Sequence, residues 1–168
     1  MALGIKTFLN NLRTEYINSE MVFPDKRRST LIKRGHTLAD DTIICPHTQI
    51  LGKKLTTHRG VFINRSVIID TVGAPVILEK NVHIAQNVLI VTRTHSPGIS
   101  PEFRCGAHED ASVTIGVGSW LGAGVIILPG VDIATGCIIA GGSVATKSTE
   151  PNGLYAGVPA RRVKDLPA

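Results

Sequence analysis

Aromatic residues are scarce in this 168-residue chain, where four Phe, two Tyr and one Trp make up 4% of the whole. A core centred on large rings is thereby excluded. The apolar 43% must pack mostly as Ile, Val, Leu and Ala, which suits stacked β-structure. Cysteine is sparse as well. Cys45, Cys105 and Cys137 lie far apart with no CxxC pair, the pattern of reduced thiols rather than a disulfide framework. No apolar stretch approaches the roughly 18–20 residues that span a bilayer. The N-terminal segment has neither the apolar region nor the small-residue cleavage site of a secretory signal. These absences lead to the expectation of a cytoplasmic protein.

The length suits one domain with a real core. Charge is spread unevenly. The net charge is +5, yet residues 1–65 hold eleven Lys and Arg against five Asp and Glu, so the basic excess lies in the first part of the chain. Either a solvated basic face or an anionic partner (a nucleotide-linked substrate, a membrane surface, a polyanion) would account for it.

What is plentiful is glycine, 17 residues of it, and it recurs with a period. From Ile115 the chain reads I115-G-V-G-S-W, L121-G-A-G-V-I, I127-L-P-G-V-D, I133-A-T-G-C-I, I139-A-G-G-S-V. The same rhythm runs through L78-E-K-N-V-H, I84-A-Q-N-V-L and I90-V-T-R-T-H, and more weakly through Leu38 and Ile44. Helices place apolar residues three and four apart and half-buried strands two apart, so neither explains a period of six. A short strand followed by a turn does. The fourth positions, Asn81, Asn87, Gly118, Gly124, Gly130, Gly136 and Gly142, are residues that tolerate turn conformations. Three units close a triangular coil, and stacking coils buries the Ile and Leu rows.

The remaining segments divide the chain into three parts. Residues 1–35 read as an amphipathic helix over 3–17 (Leu3, Ile5, Phe8, Leu9, Leu12, Tyr16, Ile17) and a basic link with Lys26, Arg27, Arg28, Lys33 and Arg34. Residues 36–150 read as the coils, interrupted around 52–77 and again by a loop over 92–112 that Pro97, Gly98, Pro101 and Gly106 mark. Residues 151–168 read as an irregular basic tail. The helix at 3–17 would cap the open end of the prism, pack on a neighbouring subunit or touch a membrane, with capping as the default expectation.

Four segments resemble the hexapeptide-repeat acetyltransferases, most closely the sugar O-acetyltransferase branch that includes maltose and galactoside acetyltransferases and acetylases of bacterial surface polysaccharide. They are F62-I-N-R-S-V-I-I-D70, I90-V-T-R-T-H-S-P97, the block Ile115–Gly130, and A145-T-K147 with A156-G-V-P-A-R161. The resemblance covers roughly 60% of the chain and is poor over the first sixty residues. It implies a mainly β fold, a left-handed parallel β-helix with a short N-terminal helix and an extruded loop. It further implies acetyl transfer from acetyl-CoA to a hydroxyl of a sugar or polysaccharide precursor, with no metal, in a homotrimer whose active sites lie between subunits. No nucleic acid is expected as a partner.

Such chemistry needs a base, an oxyanion donor and a site for a long anionic cosubstrate. His95, where coil gives way to loop, matches the family's catalytic histidine, and a neutral imidazole suits a base near pH 7. Asn64 resembles the acceptor-binding asparagine and Asp70 its nearby carboxylate. Trp120 is implied to line the acetyl and pantetheine channel, the Ala123 amide to face the thioester oxygen, and Gly141 to lie beside pantetheine. Thr146, Lys147, Arg161 and Lys164 resemble the adenine and phosphate end of the CoA site, with Lys164 standing where the family often has Arg.

Rival readings follow from the same residues. Transfer to an amine on a nucleotide sugar or to a xenobiotic would use the same histidine. A zinc enzyme of the γ-carbonic anhydrase kind would need three converging histidines including an H-x₄-H pair, which the six present do not contain. A structural β-helix without catalysis would rest on the repeat alone.

Overall fold

In the computed structural model, residues 4, 12 and 14–168 are described. From Thr37 the chain winds through short strands that, two antiparallel hairpins apart, pair in parallel with their counterparts in neighbouring coils, so that three sheets form the sides of a prism. The first side holds Thr37–Leu38, Leu55–Thr57, Val76–Leu78, Val113–Ile115 and Asp132–Ile133. The second holds Ile43–Ile44, Phe62–Ile63, His83–Ile84, Trp120–Leu121, Ile138–Ile139 and Gly153–Ala156. The third holds Gln49–Gly52, Ile68–Thr71, Leu89–Ile90, Ile126–Ile127 and Val144–Ala145.

The repeat explains this architecture residue by residue. Ile44, Ile63, Ile84, Leu121 and Ile139 stand in register up the inside of the second side, none more than 1% exposed. Burying each such side chain stabilises the fold by about 1.5–3 kcal/mol. Between strands the chain must turn sharply outward and back. All seven fourth-position residues do so with left-handed φ, from 58° at Asn87 to 78° at Gly130. His47, in the weak copy from Ile44, and Ser66, three residues after Ile63, occupy the same corner position at φ 60°. The fifth-position residues Ser119, Val125, Val131, Cys137 and Ser143 are buried behind the corners. There the Ser119 hydroxyl donates to the Ala134 carbonyl and accepts from the Cys137 amide.

Four sequence expectations change. The segment 52–77 is no interruption: Ile44 pairs with Ile63 and Ile63 with Ile84, so coils of 19 and 21 residues continue the stack, the extra residues being absorbed at corners. The basic link is a helix, Pro24–Lys33, with Pro at its start, Asp25 in its first turn and Lys33 in its last. Its Leu31 enters the core beside the first coil. The 92–112 loop is an antiparallel hairpin, Arg93–Pro97 against Cys105–Asp110. The tail is ordered too: Gly153–Ala156 adds a rung to the second side, and Arg161–Asp165 returns antiparallel to it.

Of the expected amphipathic helix at 3–17, residues 3, 5–11 and 13 lie outside the described residues. Residues 14–18 are helical, with Ile17 buried and Tyr16 exposed. The basic face is also thinner than charge alone suggests. Arg27 is only 1% exposed, its guanidinium donating to the carbonyls of Ile17, Ser19, Val22 and Ile44. Burial lowers the Arg27 pKa from its ordinary value.

Candidate active site

The hairpin leaves the prism at the corner between the third and first sides, immediately after Leu89–Ile90 and immediately before Val113–Ile115. Its foot is closed by the Ala111 amide on the Thr92 carbonyl. An ion pair in the first rung holds it further, with Arg93 Nε and Nη2 donating to the two carboxylate oxygens of Asp110 at 2.7 and 2.8 Å. Hydrogen bonding from Arg93 holds the Asp110 carboxyl below the usual carboxylate range, and the same bond raises the guanidinium. Two residue pairs further out, His95 faces His108 with ring centroids 4.4 Å apart.

His95 is exposed, and its Nδ1 lies 2.9 Å from the Gly106 carbonyl oxygen. A carbonyl can only accept, so Nδ1 carries a proton, and in the neutral ring Nε2 then carries the lone pair. Gly106 permits this approach: a Cβ there would stand 2.7 Å from the Ser96 carbonyl and hydroxyl oxygens. An imidazole so held presents an unprotonated nitrogen to solvent, which is what a general base requires.

The other residues singled out in the sequence fall along two different edges. Asp70 is the penultimate residue of strand Ile68–Thr71 on the third side, near the hairpin's foot. Its carboxylate accepts from the Val72 amide at 2.8 Å, and its carbonyl accepts from the Thr92 hydroxyl. Thr146 and Lys147 follow Val144–Ala145 and therefore turn the same corner two coils on. Asn64 lies instead at the corner between the second and third sides, its Oδ1 accepting from the Arg65 amide. Ala123 and Gly141 occupy that second corner higher up, where the Gly142 amide donates to the Ala123 carbonyl. Ala123 is exposed, and its amide donates to no acceptor among the described residues.

Trp120 is not a core residue. It points outward from the second side, 50% exposed, in register with His83 below and Ile138 above. The second side lies opposite the corner that carries the hairpin. Within one chain, Trp120 and His95 therefore project from opposite sides of the prism. His83 is in register with Phe62, their rings 5.7 Å apart, while His47 sits in a corner, so those two histidines do not stack.

At the far end of the coils a cavity of about 320 Å³ is lined by Ala145, Lys147, Thr149, Tyr155, Ala160, Arg161 and Arg162, among others. Lys147 and Arg161 thus come together, and Lys164 lies exposed on the adjoining strand, opposite Leu154. Sequence reasoning passed over Arg162. It donates to the carbonyls of Glu150, Pro151 and Asn152 and pairs with Asp165, fastening the terminal hairpin. It also passed over His108, although two histidines bracketing a Pro- and Gly-rich tip were a readable sign of a hairpin rung.

No protein-family model matches the chain. A galactoside O-acetyltransferase of Lactococcus lactis is 30% identical over 162 residues, spanning 92% of this chain and 76% of that protein. The chain belongs to the hexapeptide-repeat O-acetyltransferases. A galactoside acetyltransferase solved in complex with coenzyme A superimposes with a TM-score of 0.80 at 28% identity, covering 94% of this chain and 78% of that one. The prism is accordingly the left-handed parallel β-helix of this family. A Saccharomyces cerevisiae relative is 38% identical over 100 residues, and the chain spans half its length. The Lactococcus similarity extends well beyond the 60% of the chain legible from motifs, reaching into the N-terminal region where those motifs are weak.

Proposed function

We propose that the chain transfers an acetyl group from acetyl-CoA to a hydroxyl of a sugar or polysaccharide precursor, with His95 as general base. The observation that carries the reading is the Nδ1–H bond from His95 to the Gly106 carbonyl, which leaves Nε2 free on an exposed hairpin. Nε2 takes the hydroxyl proton as the oxygen attacks the thioester carbon. The C–O bond forms, the tetrahedral oxyanion collapses, the C–S bond breaks, and the proton passes from His95 to the CoA sulfur.

The Ala123 amide, unengaged among the described residues, is the donor assigned to the oxyanion. Trp120 and Gly141 line the pantetheine path. Thr146, Lys147, Arg161 and Lys164 hold the phosphates and adenine, the cavity by Lys147 and Arg161 being the basic recess they would use. Asn64 and Asp70 bind the acceptor. Because Trp120 and His95 face opposite ways in one chain, donor and base can meet only across a subunit boundary. This supports a homotrimer with active sites between prisms. Among the described residues no helix is long and apolar enough to cross a membrane. A cytoplasmic setting fits the donor and the three unpaired thiols.

The test is thiol release from acetyl-CoA across sugars, nucleotide sugars and amines. His95→Ala is expected to lower turnover by about 10²–10⁴-fold while leaving the circular dichroism spectrum unchanged. Unaltered turnover would remove His95 from the chemistry, and turnover with amines alone would replace the hydroxyl acceptor.

A further inference from the structure

An exposed histidine on a projecting hairpin has several staggered rotamers open to it, and only some aim Nε2 at a bound acceptor. Catalysis by a base requires reacting atoms about 3 Å apart, so the fraction of time spent in the competent rotamer scales turnover directly. The bond from Nδ1 to the Gly106 carbonyl is one restraint. On a surface open to water a single neutral hydrogen bond is weak, because water competes for the same carbonyl.

The second restraint lies directly across the hairpin. His108 is the register partner of His95, and the two rings are tilted by 48° at a centroid separation of 4.4 Å. Cross-strand ring pairs of this kind contribute beyond ordinary area burial. Two residue pairs inward stands the Arg93–Asp110 ion pair, which fixes the strands that carry both histidines. His108 is also near enough to Asp110 to lower its carboxyl further. Among the described residues the His108 ring makes no hydrogen bond or ion pair of its own. Its one ring contact is with His95.

We infer that His108 is a positioning residue for the transfer reaction: its ring wedges the His95 imidazole against the Gly106 carbonyl, with Nε2 facing the acceptor. This rests on the reading of His95 as the base. It assigns His108 no proton transfer and no contact with the reacting atoms. What matters is a planar ring at position 108, not its charge.

Two substitutions separate these elements. His108→Ala removes the ring, and His108→Phe keeps a ring while removing every ionisable nitrogen. His108→Ala is expected to lower kcat by roughly three- to tenfold with the KM for acetyl-CoA unchanged, and His108→Phe to restore most of the loss. A structural readout independent of turnover runs beside this. In protein with ¹⁵N-labelled histidine, the His95 ring nitrogens should report a single Nδ1–H tautomer in the wild type and in His108→Phe. In His108→Ala they should move toward tautomer averaging. Wild-type kcat in His108→Ala, or a His108→Phe as slow as His108→Ala, would overturn the assignment. So would an unchanged His95 tautomer signal in His108→Ala. If His95→Ala itself retains turnover while the tautomer signals behave as described, the base assignment fails and the ring-positioning geometry stands.

Discussion

Replacing Arg27 with alanine probes how the N-terminal cap is fastened to the coils. The guanidinium is 1% exposed and donates four hydrogen bonds at 2.7–3.0 Å, to main-chain carbonyls of Ile17, Ser19, Val22 and Ile44. Three of these belong to the segment that precedes helix Pro24–Lys33, and the fourth to the first coil. One side chain therefore joins three pieces of backbone. Hydrogen bonds to a charged group contribute about 1.5–3 kcal/mol each, but the four share one charge and are not additive. Removing the guanidinium leaves the buried carbonyls without their donor at about 1–3 kcal/mol each where water cannot replace it, so about 4 kcal/mol is the figure to test.

Stability in a solenoid is the sum of local rungs and their neighbours, so this loss should stay at the N-terminal end. At 1.4 kcal/mol per decade, 4 kcal/mol raises the locally open population by nearly a thousandfold. Limited proteolysis under native conditions measures that population. Cleavage within residues 14–36 should quicken by two to three decades while the coils beyond Leu55 resist. Arg27→Lys should recover only part of the loss, since one ammonium cannot reach carbonyls arrayed around a planar fork. A cleavage rate within fivefold of wild type for Arg27→Ala would refute the reasoning. A uniform loss of protection along the whole chain would refute its local character.

Other outcomes follow from the same geometry. Ile84→Ala, in the middle of a ladder between Ile63 and Leu121, should cost about 2–5 kcal/mol in urea unfolding. Gly124→Asn should be nearly silent in thermal melting, because Asn87 already holds φ 58° at an equivalent corner. Gly52→Ala should be severe, its Cβ standing 2.7 Å from the Thr71 backbone. His36 is buried and accepts from the Leu55 amide at Nδ1, and desolvation, then Arg34, lowers its pKa. Its folded value thus lies below its unfolded one, so the unfolded chain binds more protons between the two. Its contribution is intact above about pH 6.5 and falls away below that. A melting curve series should show this acid loss in the wild type and not in His36→Asn. Asp110, whose folded value is also lowered, keeps the hairpin pair until the pH falls through that lower value, well after the His36 step.

The parts of the fold that were legible share one property: they repeat. A single Gly or Asn says little, but Asn81, Asn87 and the five glycines from 118 to 142 at intervals of six define corners, and all seven turn with positive φ. The coils over 52–77 were illegible because two slightly longer coils shift the period without disturbing the register. Helix Pro24–Lys33 was hidden by its charge. Five basic residues suggest a solvated link, while the signals that start and stop the helix are single residues at its ends, and the buried role of Arg27 depends on carbonyls that no sequence pattern marks.

The candidate site was legible as residues and not as an arrangement. A sequence gives His95 and Trp120 separately. Only the assignment of Leu89–Ile90 to the third side and Trp120–Leu121 to the second reveals that they leave the prism in opposite directions. That opposition follows from the repeat itself. A corner lies opposite a side in any triangular coil, so residues offset by half a coil can never converge within one chain, however many coils are stacked. A β-helix that uses a corner hairpin for its base and a flat side for its donor path must borrow one of them from a neighbour. Mixing His95→Ala chains with Trp120→Ala chains should then regenerate some active sites, each built from one intact surface of either parent. The measurement is thiol release after unfolding and refolding the two inactive variants together. Activity in the mixture no greater than in the separately refolded variants would place both groups within one chain and contradict the geometry.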